Sequence, residues 1–384
     1  SMKIKTITCH DVYNSGASLQ AYALMKYLQN NGHEVEIIDY KPDYLSNHYK
    51  LSAVTNPKYE NNLILKYIYL ALKLPERILA LKVKKKYDEF RNKYLNITRK
   101  RYESNEELKN NISEADVYIC GSDQIWNSKF RNGKDPAFYL DFVPKNKVKS
   151  SYAASFATEE IDNELKKVTK ERIERLDFIG VREVSALNIL ENLGINHGIQ
   201  VMDPVFLLSK EEWINMTYEI DTQEKYIFVY DFDGNELIKE VSLKLAKEKK
   251  LKIYTVFKSD YSDKVIKNMG PMDFISYIKN AEFIISNSFH GTAFSIIFEK
   301  QFAVVNRKES INTRMRDLLS VLKIENRLIS ENYSFNNLIK DVNYKEVNKY
   351  VNERLEISKA YLDRVTSSNA KLEECNEEEG IVCN

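Results

Sequence analysis

Four segments place polar residues where an apolar run gives way to a helix-like pattern, and each could hold a ligand. The first, HDVYNSGASLQAYALMKYL (residues 10–28), sets Asn14, Ser15 and Gly16 between a strand ending near Thr8 and a helix beginning near Ala17. Gly16 lets the backbone come close to a ligand, and free N–H groups at a helix start attract anions. An ordinary strand–helix turn capped by Ser or Asn explains the same residues. The spacing is not G-x-G-x-x-G, so no dinucleotide is implied. The second segment, VYICGSDQIWN (117–127), runs into Ser122, Asp123 and Gln124, with Trp126 just beyond. Packing does not require that string at a strand's end, whereas a site for a polar ligand uses all of it. The plainer reading is a turn anchored by an aromatic ring. In the third, IGVREVSALNIL (179–190), Arg182 and Glu183 sit where a buried strand meets a helix. Glu183 suits the positive helix start, but Arg182 gains nothing from that dipole. Its fork is shaped to hold a carboxylate or phosphate, or else to make a structural ion pair.

The fourth segment, AEFIISNSFHGTAFSIIF (281–298), puts Ser288 at the end of a strand and His290 in the first helical turn after it. A histidine there is placed to act as base or proton donor near neutral pH, although a lone histidine is more often structural. INTRMRDLLSVL (311–322) adds Arg314 and Arg316 at another helix start, where acids are normally preferred; a nearby anion would explain them. Arg307 and Lys258 follow two expected strands of the same unit. These cations are expected around one cleft, a site for a small, multiply charged anion. Cys9, Cys120, Cys375 and Cys383 form no C-x-x-C pair and none lies at ligand spacing from a histidine, so no metal site is expected.

The elements that must position these residues alternate along the chain. Strands are expected at 3–8, 34–38, 116–120, 148–155, 177–181, 226–230, 251–257, 282–286 and 302–305. Helices are expected at 17–31, 104–112, 160–176, 184–193, 236–249, 273–279, 290–299 and 313–322. That alternation predicts an α/β fold: two Rossmann-like domains whose parallel sheets face a cleft, with ligands at the carboxyl ends of the strands. Residues 1–205 form the first domain, with a basic helical insertion at 60–101, and 206–335 form the second. Residues 336–384 supply a helix at 345–366 that returns to the first domain, then an acidic tail carrying Glu373, Glu374, Glu377, Glu378 and Glu379.

The 384 residues carry 57 Lys+Arg against 56 Asp+Glu, a net charge of +1, which argues against a protein that coats nucleic acid. No apolar run approaches the ~18 residues of a membrane span, and the expectation is a soluble, cytoplasmic chain. Segment 62–101 departs from the balance, with twelve Lys/Arg against three acids. The bland reading is a helix with one buried and one solvated face. The sharper one is a peripheral contact with an anionic membrane, at its inner face, or with a charged acceptor.

Taken together, N-S-G-A-S-L-Q-A-Y-A-L, G-S-D-Q-I-W-N, S-Y-A-A-S-F-A, V-R-E, M-D-P-V-F-L-L and S-N-S-F-H-G-T-A-F-S resemble the polysaccharide pyruvyl transferase family over about residues 10–330. The resemblance implies a GT-B-like shape and transfer of the enolpyruvyl group of phosphoenolpyruvate onto two hydroxyls of a sugar. The products would be a cyclic pyruvate ketal and phosphate, on a cell-surface polysaccharide or a precursor that is in some cases lipid-linked. It implies that His290 is the essential histidine and Arg182 a donor-binding arginine, with phosphoenolpyruvate as substrate and no cofactor. Relatives commonly carry an arginine two residues before the histidine, where this chain has Ser288. Another cation is then needed, Arg314 first, with Arg307 or Lys258 behind it. Asn14, Gly16 and Ser288 complete the expected donor site. Ser122, Asp123, Gln124, Trp126, Glu183 and Lys258 are expected on the acceptor side or in the cleft. A GT-B glycosyltransferase using a sugar nucleotide, or an inactive glycan-binding relative, are the alternatives.

Overall fold

Val117–Cys120 (VYIC) and Phe283–Ser286 (FIIS) are buried along their whole length. Continuous apolar strands of this kind suit parallel sheets covered by helices on both faces. The computed structural model describes residues 1–45 and 62–367. Among them β1 (Lys3–Ile7), β2 (Glu34–Tyr40), β3 (Ile97–Tyr102), β4 (Val117–Cys120) and β5 (Val148–Ser151) form a parallel sheet in the order β3-β2-β1-β4-β5. A short pair, β6 (Gly180–Val181) and β7 (Ile199–Gln200), continues from it through the bridges Ser150–Phe178 and Ala154–Val181. The second sheet contains β8 (Tyr226–Tyr230), β9 (Lys252–Thr255), β10 (Lys264–Val265), β11 (Phe283–Ser286), β12 (Gln301–Val305) and β13 (Leu328–Ile329). Its order is β10-β9-β8-β11-β12-β13, again all parallel. The fold is therefore α/β with two Rossmann-like sheets, as the alternation predicts.

In each sheet the strand order reverses once, between β1 and β4 in the first and between β8 and β11 in the second. Side chains just beyond the carboxyl ends of all four of these strands line one cavity. The topology alone thus brings distant loops to one place.

Several boundaries differ from those read in the sequence. The basic segment is not helical throughout: the helix Leu63–Tyr94 ends, and Ile97–Tyr102 becomes the edge strand β3 beside β2. In ITRKRY, Thr98 and Tyr102 are buried between the exposed Arg99, Lys100 and Arg101. Charges are well tolerated on an edge strand, which explains why cationic density there misleads a helix reading. The strand expected at 148–155 stops at Ser151, and that expected at 177–181 shrinks to Gly180–Val181. The two-residue strands β7, β10 and β13 are too short to leave a period. Residues 46–61 and the acidic tail with Cys375 and Cys383 lie outside the described residues.

The helix Tyr344–Val365 connects the two sheets. Its start bonds to the second unit, where Asn348 donates to Glu299 at 2.9 Å and the Tyr344 hydroxyl to the Lys300 carbonyl. Its end bonds to the first, where the Tyr361 hydroxyl donates to the Ser151 carbonyl at 2.7 Å. An edge-to-face series of rings, Tyr22–Trp213–Phe294, crosses between the units as well.

Candidate active site

The loop after β1 feeds the helix Ser15–Asn30. Asn14 is its N-cap, accepting from the Ala17 amide at 3.0 Å, and also lines the cavity. The cap and the ligand reading of this residue are therefore compatible. Gly16 lies against His290: a Cβ there would fall 2.2 Å from the imidazole Nδ1. The glycine makes room for the histidine rather than for a ligand directly. Further along the same helix, Gln20 accepts from the Ser122 amide at 3.0 Å and donates to the Thr8 hydroxyl at 3.0 Å, joining the loops after β1 and β4. In the second loop Asp123 adopts a left-handed backbone (φ 68°), a conformation non-glycine residues hold at some cost and most often where function needs it.

On the facing unit, Ser288 caps the helix Phe289–Ile297, accepting from the Gly291 amide at 3.0 Å. His290 is one residue into that helix. Its Nε2 faces the Asp203 carboxylate at 3.1 Å. A carboxylate can only accept, so Nε2 carries a proton toward Asp203, and Nδ1, the other ring nitrogen, lies on the side of Gly16. Asp203 is itself fully buried and also accepts from Arg182 Nη1 at 2.8 Å. Burial would raise its pKa, but the adjacent His290 and Arg182 hold it at about 2.

Three arginines meet here. Arg182 is buried, donating to Glu183 at 2.7 Å and Asp203 at 2.8 Å, with Asp123 at 3.7 Å. Burial disfavours its charge, yet these three carboxylates raise its pKa above the ordinary arginine value. Its Nη2 is buried without a hydrogen-bond partner. Arg314, also buried, forms no ion pair among the described residues and donates only to the Ile311 carbonyl, at 3.3 Å. Burial and the nearby Arg182 push its pKa down to about 10. The Arg182 and Arg314 guanidinium carbons lie 4.0 and 6.0 Å from the centre of the Phe289 ring. Arg307 stacks over Phe232 at 4.1 Å, and its Nε is buried and unpartnered. Phe232 is held in turn by Asn287, which accepts from its amide at 3.0 Å. Arg182 is matched by these carboxylates, but Arg307 and Arg314 pair with none among the described residues, so an anion between those two would complete their contacts.

The cavity between these groups measures about 220 Å³ and is lined by Asn14, Asp123, Gln124, Ser288, His290, Arg307 and Arg314, among others. Cys9 also faces it, but burial followed by the charge of Asp123 pushes the thiol pKa up, which disfavours a thiolate nucleophile. Beside it a second cavity of about 440 Å³ opens between Thr158–Glu160 and Ser310–Arg316, with Lys129 and Asn306 in its wall. The ion pair Arg316–Glu159 (2.6 Å) crosses this opening. A polysaccharide pyruvyl transferase model matches residues 14–309, most of the chain. The chain belongs to that family.

No curated protein shows significant sequence similarity to this chain. Among solved structures, the UDP-GlcNAc 2-epimerase of Neisseria meningitidis bound to UDP-GlcNAc is similar over 96% of each chain, at 11% identity and a TM-score of 0.49. TarM of S. aureus, in complex with fondaparinux, alpha-GlcNAc-glycerol and UDP, is similar over 98% of this chain and 99% of its own, at 11% identity and a TM-score of 0.47. Likenesses this distant carry nothing about activity.

Four expected cleft residues stand elsewhere. Trp126 is fully buried, stacked on Tyr139 at 5.4 Å and donating to the Phe138 carbonyl at 3.0 Å; it is core, as the turn-anchor reading had it. Ser122 is buried with its hydroxyl on the Ala153 carbonyl at 2.6 Å. Glu183 does not serve the helix start, since its carboxylate is taken by Arg182 and by the Ser155 hydroxyl. Lys258 is exposed beyond β9 and does not reach the cavity. The residue the sequence did not single out is Asp203. It lies inside M-D-P-V-F-L-L, where an Asp before Pro reads as a cap, and it does accept from the Val205 amide at 3.0 Å. A possible cation cluster, His10, Asp11 and Asp39, has its donor atoms within 4.8 Å of one another. Its carboxylates are already engaged by Lys41, Arg91 and Arg101, which makes it an ion-pair network rather than a metal cage.

Proposed function

We propose that this chain transfers the enolpyruvyl group of phosphoenolpyruvate to two hydroxyls of a saccharide, forming a pyruvate ketal and releasing phosphate. The observation that carries the reading is the convergence of Arg314 and Arg307 on a cavity whose histidine is backed by a buried carboxylate, itself paired with Arg182 behind the cavity wall. The start of the helix Ser15–Asn30 and that of the helix Phe289–Ile297 both border the same cavity, adding positive potential. About 220 Å³ suits a compact anion; pockets for drug-sized ligands run to roughly 300–1,000 Å³, which disfavours a sugar nucleotide in this cavity.

In this scheme Arg314 and Arg307 take the phosphate and carboxylate, and Arg182 supplies charge from behind. One acceptor hydroxyl attacks C2 of the donor as C3 gains a proton to become a methyl group. The second hydroxyl then displaces phosphate at C2. The two hydroxyl protons balance the reaction, one ending on C3 and one leaving with phosphate. His290 moves them while Asp203 fixes Nε2, a contribution of about 10²–10⁴-fold. Arg314 and Arg307 stabilise the charge that develops on the departing phosphate. The acceptor lies in the neighbouring polar cavity around Thr158, Glu159 and Arg316.

Titration calorimetry tests this with phosphoenolpyruvate and uridine diphosphate, each into wild type, Arg314→Ala and His290→Ala. Saturable phosphoenolpyruvate binding is expected, weakened at least about tenfold in Arg314→Ala, the loss of one charge-assisted contact. His290→Ala should keep that binding and lose phosphate release. Tight nucleotide binding without a phosphoenolpyruvate signal would instead favour a glycosyltransferase.

A further inference from the structure

The helix Leu63–Tyr94 has two unlike halves. Its second half is docked: the Tyr87 hydroxyl meets the Ser15 hydroxyl at 3.1 Å, Arg91 pairs with Asp11 at 2.8 Å, and Lys86 with Asp273 at 2.8 Å. Its first half turns apolar side chains to solvent. Leu63, Ile64, Tyr67, Ile68, Leu72 and Ile78 are all exposed, Ile64 by 73% and Leu72 by 76%. At about 100° per residue, these positions and the intervening Ala71, Leu74 and Pro75 fill a continuous arc of roughly 180° that holds no charged residue. Lys66, Lys73, Glu76 and Arg77 lie on the opposite half, with Arg77 buried and Lys73 paired with Glu76 at 3.5 Å; Lys82, Lys84 and Lys85 follow directly, Lys84 pairing with Asp88 at 2.5 Å. Scattered apolar side chains at a surface need no explanation, but an uninterrupted face does.

We propose that the face between Leu63 and Ile78 lies in the interfacial layer of an anionic lipid membrane, with the flanking and following lysines against the head groups. Charge decides the occupant. Two copies meeting on this face would bring their cationic flanks together, whereas an anionic bilayer receives both the apolar arc and the lysines. No helix among the described residues is long and apolar enough to cross a membrane, so the helix lies on the surface. Nine residues, about 14 Å of helix, separate Ile78 from Tyr87, which touches Ser15 beside the cavity. Membrane seating would bring the cavity near a lipid-linked acceptor; only this last consequence rests on the proposed transfer.

Cosedimentation of the full chain with phosphatidylglycerol-containing vesicles, and with phosphatidylcholine alone, tests the seating without any turnover. Binding to the anionic vesicles is expected, at least about tenfold stronger than to the neutral ones and falling with added salt. Ile64→Glu/Leu72→Glu should lower it at least about tenfold, at unchanged circular dichroism and phosphoenolpyruvate titration. Absence of wild-type binding at low salt, or binding undiminished in the double variant, would overturn the proposal. So would light scattering that shows a lipid-free dimer which the double variant splits, because a second copy would then cover the face.

Discussion

At the scale of residues, the centre of the site is a relay of buried charge in which Arg182, Asp203 and His290 constrain one another. Asp203 is the hinge of this set because it touches both of the others. Asp203→Asn removes the negative charge while keeping the shape, and its amide can face only one of the two donors favourably. Breaking a buried pair of this kind costs about 3–5 kcal/mol, readable as a lower urea midpoint. Turnover should fall about 10²–10⁴-fold, because the imidazole loses the partner that fixes its proton. Full activity in that variant would mean that His290 needs no orientation. The same carboxylate makes a pH prediction. Its folded pKa of about 2 lies below the ordinary 3.8, so the unfolded chain binds the proton more readily. Its contribution is complete above about pH 4 and is lost as pH falls toward 2, on the order of 2 kcal/mol. Urea midpoints measured from pH 5 down to 2.5 should decline in the wild type by more than in Asp203→Asn. His290 and Arg314 are legible in the sequence as an imidazole and a cation at helix starts, and both line the cavity; Arg182, read either as a ligand contact or as a structural ion pair, is held by Glu183 and Asp203. Asp203 is not legible there: it sits before a proline and caps a turn, and only the fold shows its second contact.

Among the elements, two helix starts from different sheets meet, and their approach is set by a missing side chain. Gly16 in the helix Ser15–Asn30 lies so close to His290 that a Cβ would overlap the ring at 2.2–2.7 Å. Within a helix, Ala is ordinarily favoured over Gly by about 0.5–1 kcal/mol, so propensity predicts a gain from Gly16→Ala. Packing predicts the opposite. The imidazole is confined by Asp203 and cannot turn aside without losing that bond. Gly16→Ala should therefore lower turnover at least about 10²-fold, the scale of a misplaced catalytic group, and lower thermal stability too, because overpacking of about 1–3 kcal/mol outweighs the propensity gain. A variant with unaltered turnover would show that the two helix starts can move apart freely. The strand-to-helix loops could be read from sequence because long apolar runs and helical periods bracket them. Ile97–Tyr102 could not, since its charges belong to an edge that only the sheet order reveals.

For the whole molecule, the cavity belongs to neither unit alone, and the helix Tyr344–Val365 fixes how the units stand. This helix lies beyond residues 14–309, the part that matches the family, yet it reaches the site through one bond. The Ser358 hydroxyl accepts from the Met202 amide at 2.9 Å, directly before Asp203, while the Tyr152 hydroxyl holds the Met202 carbonyl at 2.7 Å. Nearby, the Tyr361 hydroxyl bonds at 2.8 Å to Ser150 and at 2.7 Å to the carbonyl of Ser151, which ends β5. Ser358→Ala leaves a buried amide without a partner, and Tyr361→Phe removes the other tie. Each should cost about 1–3 kcal/mol in urea denaturation. The two should differ in turnover. Ser358→Ala loosens the segment that carries Asp203 and should lower kcat with donor affinity retained, since Arg314 and Arg307 do not depend on it. Tyr361→Phe should lower stability and leave kcat near wild type. Equal kcat in both variants would mean that the C-terminal helix only holds the units together and has no part in placing the carboxylate behind His290.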